Sequence, residues 1–393
     1  MSKQNSETLP IYFVTLVPAG EGAIHHELPC WYLAAQHLPL IRLSPVAGES
    51  CLKEFFRESP GQIFLRSPFR ATILGKIKLH LALIWELLKL RIKKKGVFYI
   101  YGSVCTPDIA IALAGLDGHR VIYHTQDFLE PARYPLRSRI ERRIARKATL
   151  VVSNEVNRAR FMQSYYGLTS MPLVVPTALP RDWPIPERSE AGRKEIVGER
   201  WTQNMKIVLH LGGYSDVRMG RFLLEAMSKM PDNYVLVFTG MRTGSQSSQE
   251  CFRQAKLLGI QGRIIAASYL SFPKLLEYAV NSDVGILLYP NDGIGNFYQC
   301  PGRLTEYAAC GLPFVTSDFP GLEHMVLKFG LGRACDPCCP AEIAQAIRLL
   351  VEVTPSDADS RREHIQRQFK EHLAYEQRAN VLVEMIRSML RAV

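Results

Sequence analysis

Asn291-Asp-Gly-Ile-Gly-Asn-Phe-Tyr-Gln-Cys-Pro-Gly-Arg-Leu-Thr-Glu-Tyr-Ala-Ala-Cys-Gly-Leu-Pro-Phe-Val315 decides how the rest of this chain is read. It follows an apolar run, Asp283–Leu288, of strand length, and leads into a helical pattern opening near Pro301, a residue suited to a first turn. Gly293, Gly295 and Gly302 let backbone amides approach a ligand closely. A helix N-terminus behind such a loop favours an anion, through unpaired N–H groups and the helix dipole. Arg303 adds a positive charge in the first turn, and Glu306 projects from the same face three residues on. A carboxylate there suits two vicinal hydroxyls, such as those of a ribose, better than it suits phosphate. The bland alternative is a surface helix with an i,i+3 ion pair.

Upstream, Val208-Leu-His-Leu-Gly-Gly-Tyr-Ser-Asp-Val-Arg-Met-Gly220 repeats the device. A strand runs into Gly212-Gly213 and then a helix, capped by Ser215 or Asp216, that carries Arg218. A glycine turn at a helix start beside a guanidinium is a diphosphate-sized arrangement. Neither this turn nor Val17-Pro-Ala-Gly-Glu-Gly-Ala-Ile-His-His26 spells G-x-G-x-x-G, so a dinucleotide fingerprint is a weak reading.

Short apolar runs alternate with helical patterns along most of the chain. Strands are expected at Ile11–Val17, Leu40–Leu43, Gln62–Leu65, Val97–Tyr101, Val121–His124, Leu150–Ser153 and Leu173–Val175. After a Pro-rich stretch they resume at Lys206–Leu211, Tyr234–Thr239, Arg263–Ala266, Asp283–Leu288 and Pro313–Thr316. Helical patterns between them include Pro107–Leu116 and Gln249–Leu258, and one fills the stretch from Pro340 to Val393. Such alternation means βαβ units and parallel sheets. The 393 residues accordingly divide into an α/β lobe over 1–180, a linker over 181–203, a second α/β lobe over 204–355 and helices over 356–393. Both lobes are expected to be doubly wound, with ligands at the carboxyl ends of strands facing a central cleft.

A mean hydropathy of −0.03 with 9% aromatic residues excludes a disordered chain. No apolar run approaches the roughly 18–20 residues of a membrane span. The polar start, Met1–Pro10, is not a signal-peptide n-region, so a cytoplasmic protein is expected. Charge is uneven: residues 1–180 hold 23 Lys and Arg against 13 Asp and Glu, and residues 181–393 hold 25 against 24. The basic residues concentrate in Lys76–Lys95, which also carries leucines and Trp85, and in Arg133–Lys147. Amphipathic basic helices lie on anionic membranes, so peripheral attachment at the inner face is one expectation and a core helix with a solvated end the other. No nucleic-acid module accompanies the charge. The nine cysteines do not form a disulfide framework, although Cys335-Asp-Pro-Cys338-Cys339, with Cys300 or Cys310, has the makings of a zinc site.

Pro301-Gly-Arg-Leu-Thr-Glu-Tyr-Ala-Ala-Cys-Gly-Leu-Pro313 resembles the nucleotide-sugar site of retaining glycosyltransferases of the GT-B fold, the group 1 family of family 4 type. Arg303 stands at that pattern's lysine and Glu306 at its ribose-binding glutamate. Gly212–Arg218 resembles the family's diphosphate loop, with Arg218 at the lysine position. Tyr123-His-Thr-Gln-Asp-Phe128, Ser138-Arg-Ile-Glu-Arg-Arg-Ile-Ala-Arg-Lys-Ala148 and Leu150–Asn154 resemble its inter-lobe signature. Three positions depart from the pattern: Tyr298 replaces the first glutamate of Glu-x7-Glu, Gly213 replaces the loop arginine, and Gln126 replaces a histidine.

The resemblance implies transfer of a sugar from a nucleoside diphosphate sugar to a glycan or lipid-linked acceptor, with no cofactor and no metal. Donor residues would be Gly212, Gly213, Arg218, Gly293, Gly295, Tyr298, Arg303, Leu304, Thr305 and Glu306. Arg218 and Arg303 would stabilise the leaving diphosphate, and His124 and Asp127 would orient sugar and acceptor. Gly22, His25 and Gln126 fall on the acceptor side, with Glu21 and His26 beside them. A catalytically inactive nucleotide-binding scaffold and a sugar-nucleotide epimerase are the alternatives. Base recognition would fall at Gly240–Gly244 and Ala267–Leu270, which hold no diagnostic residue.

Overall fold

The computed structural model describes residues 9–18, 24–45, 50, 52–65, 72–93, 96–102, 120–127 and 130–391. They form two units, Met1–Pro176 with Glu376–Val393, and Thr177–Tyr375. Each unit is built on one parallel sheet.

In the first unit the strands are β1 (Ile11–Val14), β2 (Leu40–Pro45), β3 (Gly61–Leu65), β4 (Val97–Tyr101), β5 (Arg120–Thr125), β6 (Leu150–Ser153) and β7 (Leu173–Val174), ordered 3-2-1-4-5-6-7. In the second they are β8 (Lys206–His210), β9 (Tyr234–Phe238), β10 (Ile264–Ala266), β11 (Val284–Leu287), β12 (Phe314–Ser317) and β13 (Gly332–Cys335), ordered 10-9-8-11-12-13. Every pairing among these strands is parallel. The central strands are apolar and buried throughout, as Ile-Tyr-Phe-Val in β1 and Tyr-Val-Leu-Val-Phe in β9. That pattern belongs to parallel sheets covered by helices on both faces. In the second unit Val208, Leu236, Ile286 and Val315 of the sheet pack with Leu223 and Met227 of helix Gly220–Ser228 and Ile343 and Ile347 of helix Pro340–Val351.

Strand order reverses between β1 and β4 in the first unit and between β8 and β11 in the second. Chain crossing in opposite directions leaves an opening at the carboxyl ends there.

The boundaries differ from the sequence expectation in two places. Inside the expected linker, residues 181–203, lies helix Glu190–Val197, and the second unit already begins at Thr177. The Ser189 hydroxyl caps that helix by accepting from Gly192 N at 3.0 Å. Arg193 ties it to the sheet, with both guanidinium nitrogens 2.9 Å from the Asp283 carboxylate. The expected C-terminal helices also divide. Pro355–Gln368 stays with the second unit, whereas Glu376–Arg391 belongs to the first. There Asn380 accepts from the Tyr32 hydroxyl at 2.6 Å, and Arg378 Nε donates to the Val174 carbonyl at 3.1 Å. Tyr375 N donates to the Leu179 carbonyl at 2.9 Å, so the two ends of the second unit meet. The helix expected at Pro107–Leu116 lies outside the described residues.

Candidate functional site

The second unit's reversal point is organised by Tyr307. Its ring occupies the space over Gly285, where an added Cβ would approach within 2.8 Å, so only glycine fits that strand position. The Tyr307 hydroxyl accepts from Leu211 N at 3.2 Å and lies 3.3 Å from the Leu209 and Ile286 carbonyls. Helix Gly302–Ala309 is thereby pinned across the ends of β8 and β11. Leu304 is wholly buried, and Thr305 turns its hydroxyl to the Gly302 carbonyl at 2.8 Å. These two expected donor residues therefore anchor the helix, and their side chains offer a ligand nothing.

Arg303, one turn before Tyr307, reaches the strand ends. Its Nη1 donates to the Leu211 carbonyl at 2.5 Å and its Nη2 to the Tyr289 hydroxyl at 2.7 Å. Desolvation opposes its charge, but Tyr289, Tyr307 and Glu306 outweigh that, and its pKa lies above the ordinary guanidinium value. Pro301 is the N-cap and makes no side-chain cap bond, which leaves the helix start open to an anion. Glu306 is buried on the same helix.

From the other side comes Arg218, whose guanidinium lies 4.6 Å from the centre of the Tyr289 ring, while that of Arg303 lies at 5.6 Å. Arg218 closes a 3-10 turn, Asp216–Arg218, and the α-helix starts only at Gly220, past the left-handed Met219. Neither Ser215 nor Asp216 provides the expected helix cap: Ser215 precedes the 3-10 turn and makes no side-chain cap bond there. Gly212 has φ +141°, and a Cβ on it would come 3.3 Å from His210 Cε1 and 3.6 Å from Arg303 Nη1. Glycine there keeps the arginine uncovered. His210 is buried and donates through Nδ1 to the Gly212 carbonyl at 3.1 Å. Burial, followed by Arg303, pushes its pKa down to about 3, so the ring is neutral.

The second glycine loop is looser. Gly293, at φ +151°, heads the four-residue helix Ile294–Phe297, and Gly295 has nothing near its Cβ position. Tyr298 is half-buried, its ring 5.2 Å from that of Phe297. The loops expected to meet the base bond to one another, Gly240 N to the Ser268 carbonyl at 3.1 Å and Met241 N to the Ala267 carbonyl at 2.9 Å. Tyr269 beside them is exposed.

In the first unit, Gln126 Nε2 and the Tyr101 hydroxyl both turn to the His25 carbonyl, at 3.5 and 2.9 Å. Asp127 is exposed and acts electrostatically on His26, whose pKa is lowered chiefly by burial. These residues gather at the carboxyl ends of β1, β4 and β5. His124 does not join them. It is 2% exposed, packed against Tyr101, and bonded through Nδ1 to the Tyr99 hydroxyl at 2.7 Å. Burial pushes its pKa down to about 3, and this placement makes it a core histidine of the sheet. Glu21 and Gly22 lie outside the described residues.

Cys335 and Cys310 turn their thiols to the Thr316 and Leu276 carbonyls, at 3.7 and 3.8 Å. Among the described residues no three His, Cys, Asp or Glu side chains cluster as metal ligands. Asp357-Ala-Asp359, the chain's single Asp-x-Asp, lies near the start of helix Pro355–Gln368, where Asp357 N donates to Thr354 Oγ1 at 3.2 Å. Thr354 is the helix cap there, and the Asp357 carboxylate accepts from its hydroxyl at 2.7 Å. Sequence reasoning missed Tyr289 and His210; their only signal was a place at or just past the end of an apolar strand.

Two arginines, a glycine turn and an open helix start thus converge at one reversal point. Residues 193–371 match the family model of glycosyl transferases group 1. The matched stretch takes in both Gly212–Arg218 and the Arg303–Pro313 block. The described fold is GT-B, as the solved structures show. HepE of Anabaena, solved with UDP and glucose, superposes with a TM-score of 0.72 at 17% identity, covering 98% of this chain and 100% of that one. Sucrose-phosphate synthase of Thermosynechococcus elongatus gives 0.77 at 15% identity over 98% and 100%. A glycosyltransferase of Rickettsia africae gives 0.70 at 15% over 97% and 99%. Compared with curated protein sequences, the chain matches none.

Proposed function

We propose that this protein is a retaining glycosyltransferase that moves a sugar from a nucleoside diphosphate sugar to a glycan or lipid-linked acceptor. The observation that carries the reading is the convergence of Arg218 and Arg303 on Tyr289, at the reversal point of a group 1 region. Breaking the bond between the anomeric carbon and the β-phosphate oxygen leaves growing negative charge on the diphosphate. Fixed guanidiniums and the open amides of helix Gly302–Ala309 meet that charge as it develops, the electrostatic form of catalysis. They do the work of a divalent cation, so the reaction needs none. The acceptor hydroxyl attacks from the face the diphosphate leaves, and a leaving phosphate oxygen takes its proton. Glu306 holds the ribose hydroxyls, and Asp127, with Gln126 and His25, orients the acceptor on the first unit.

The acceptor side supports a membrane-borne substrate. Helix Ile73–Lys93 leaves Ile73, Leu74, Ile77, Leu81 and Trp85 exposed, four of them at intervals of four residues. Lys76, Lys78 and Lys89 lie on the same helix. An exposed apolar stripe edged with lysine lies flat on an anionic surface, so the enzyme works at the inner face of the membrane, in cell-surface polysaccharide or glycoconjugate synthesis. Among the described residues no helix is long and apolar enough to cross a membrane. Trp85 fluorescence should shift to the blue with anionic vesicles and stay unchanged with neutral ones.

Tyr298, standing where the resemblance places a carboxylate, favours a second reading, a scaffold that binds nucleotide without turnover. Thermal unfolding with UDP, GDP, dTDP, ADP and CMP, each with and without EDTA, tests the first step. UDP leads the list because HepE was solved with it. A ligand specific for the folded state raises the midpoint, with about 2.7 kcal/mol expected at 100 times its dissociation constant. A shift for one diphosphate that EDTA leaves intact supports the donor site; no shift for any of them removes it. Binding with no hydrolysis or transfer of the matching sugar nucleotide identifies the scaffold, and a new sugar nucleotide formed without any acceptor identifies an epimerase.

A further inference from the structure

We infer that Tyr289 is a positioning residue that makes this site read a diphosphate in preference to a single phosphate. The inference rests on the donor reading above and adds a residue that the group 1 pattern in the sequence did not mark. One side chain serves two cations from separate parts of the chain. Arg218 comes from the turn behind β8 and rests near the ring, while Arg303 comes from the helix behind β11 and is held by the hydroxyl. Like charges brought this close repel, and the pKa of Arg218 is lowered, by desolvation first and by Arg303 as well. An electron-rich ring face and a hydroxyl oxygen offset that repulsion without neutralising either charge. A carboxylate in the same place would spend the charge that a ligand needs.

Tyr289 is itself fixed. Its backbone N donates to Ser317 Oγ at 2.9 Å, the same hydroxyl donates back to the Tyr289 carbonyl at 3.0 Å, and its side chain is 1% exposed. The arginine it steadies most loosely is Arg218, whose 3-10 turn has no side-chain cap. A rigid ring therefore sets the spacing of two guanidiniums, one of them on a weakly held turn. A diphosphate offers each guanidinium its own phosphoryl oxygens, whereas a monophosphate engages one of them fully. Disturbing the spacing should then cost the second phosphate and spare the first.

The test measures affinity for UDP and UMP, GDP and GMP, dTDP and dTMP, ADP and AMP, and CDP and CMP. Wild type, Tyr289→Phe and Tyr289→Leu are compared by calorimetry, with the ligand-free unfolding midpoint of each. Phenylalanine keeps the ring under Arg218 and removes the hydroxyl, which holds Arg303 and also bonds Arg218; leucine removes ring and hydroxyl together. In the pair that wild type binds, the preference for diphosphate should fall roughly tenfold in Tyr289→Phe and further in Tyr289→Leu, with monophosphate affinity little changed. A merely structural tyrosine would weaken both members of the pair alike. An unchanged preference in Tyr289→Phe, or equal loss for both ligands, overturns the inference while leaving the donor site standing. A wild type that binds none of the five diphosphates overturns both.

Discussion

The two sheets share one architecture and, near their reversal points, treat arginine in opposite ways. On β2, next to β1, Arg42 is buried, with Nη1 2.9 Å from the Glu27 carboxylate and Nη2 3.3 Å from the Val17 carbonyl. Its charge is neutralised inside the protein. Beside β8 and β11, Arg303 takes the Leu211 carbonyl and the Tyr289 hydroxyl, both neutral oxygens, and Arg218 takes a ring face. An arginine matched with a carboxylate holds a fold together. One held by neutral groups keeps its charge for something else. The first unit's larger positive charge is therefore a poor guide to where a small anion binds.

Breaking the buried pair gives the largest effect the comparison calls for. Arg42→Ala takes the guanidinium away from the buried Glu27 carboxylate, and should cost about 3–5 kcal/mol of stability, read from denaturant unfolding. Nucleotide affinity per folded molecule should not change; a drop there would place Arg42 in a site and undo the contrast. Arg303→Ala should do the reverse, weakening nucleoside diphosphate binding by about 2–3 kcal/mol in calorimetry with a much smaller fall in unfolding midpoint. Equal losses of stability and affinity would make Arg303 structural. Glu306→Ala should follow with about 1–2 kcal/mol, provided the nucleotide carries a ribose. Unchanged affinity in that variant removes Glu306 from the site.

The last effect concerns pH, and there the two units should agree. His124 and His210 have pKa values of about 3 when folded. In the unfolded chain histidine titrates near 6.5, so the unfolded state binds more protons between these values. Their contribution to stability is whole above about pH 6.5 and is lost as pH falls toward 3. His210→Gln should flatten the acid-side fall of the second unit's midpoint, and His124→Gln that of the first. An unflattened slope in either variant would mean that the ring accepts its proton without disturbing the unit.

Much of this was legible because apolar runs such as Val-Phe-Tyr-Ile-Tyr in β4 can only be covered strands, and because Gly302-Arg303 after such a strand announces an anion site. What escaped depended on contacts distant in sequence. β13, Gly-Arg-Ala-Cys, has little strand propensity and exists because it pairs with β12 at the sheet edge. Helix Glu190–Val197 hid in a Pro-rich stretch, and at its Gly192 the Asn281 side chain occupies the space where a Cβ would stand. Leu304 and Thr305 sit inside the motif but face the core, which periodicity alone did not separate from Arg303 and Glu306. Tyr289 carried no motif at all.

The return of helix Glu376–Arg391 to the first unit has a consequence for how the protein comes into being. The second unit is one unbroken length of chain, Thr177–Tyr375, whereas the first is assembled from both sides of it. During synthesis the second unit can close as soon as it clears the ribosome, and the first must wait, with the faces that meet Asn380 and Arg378 uncovered, for the last helix to emerge. Translation order is thus inverted: the half made first is the half finished last.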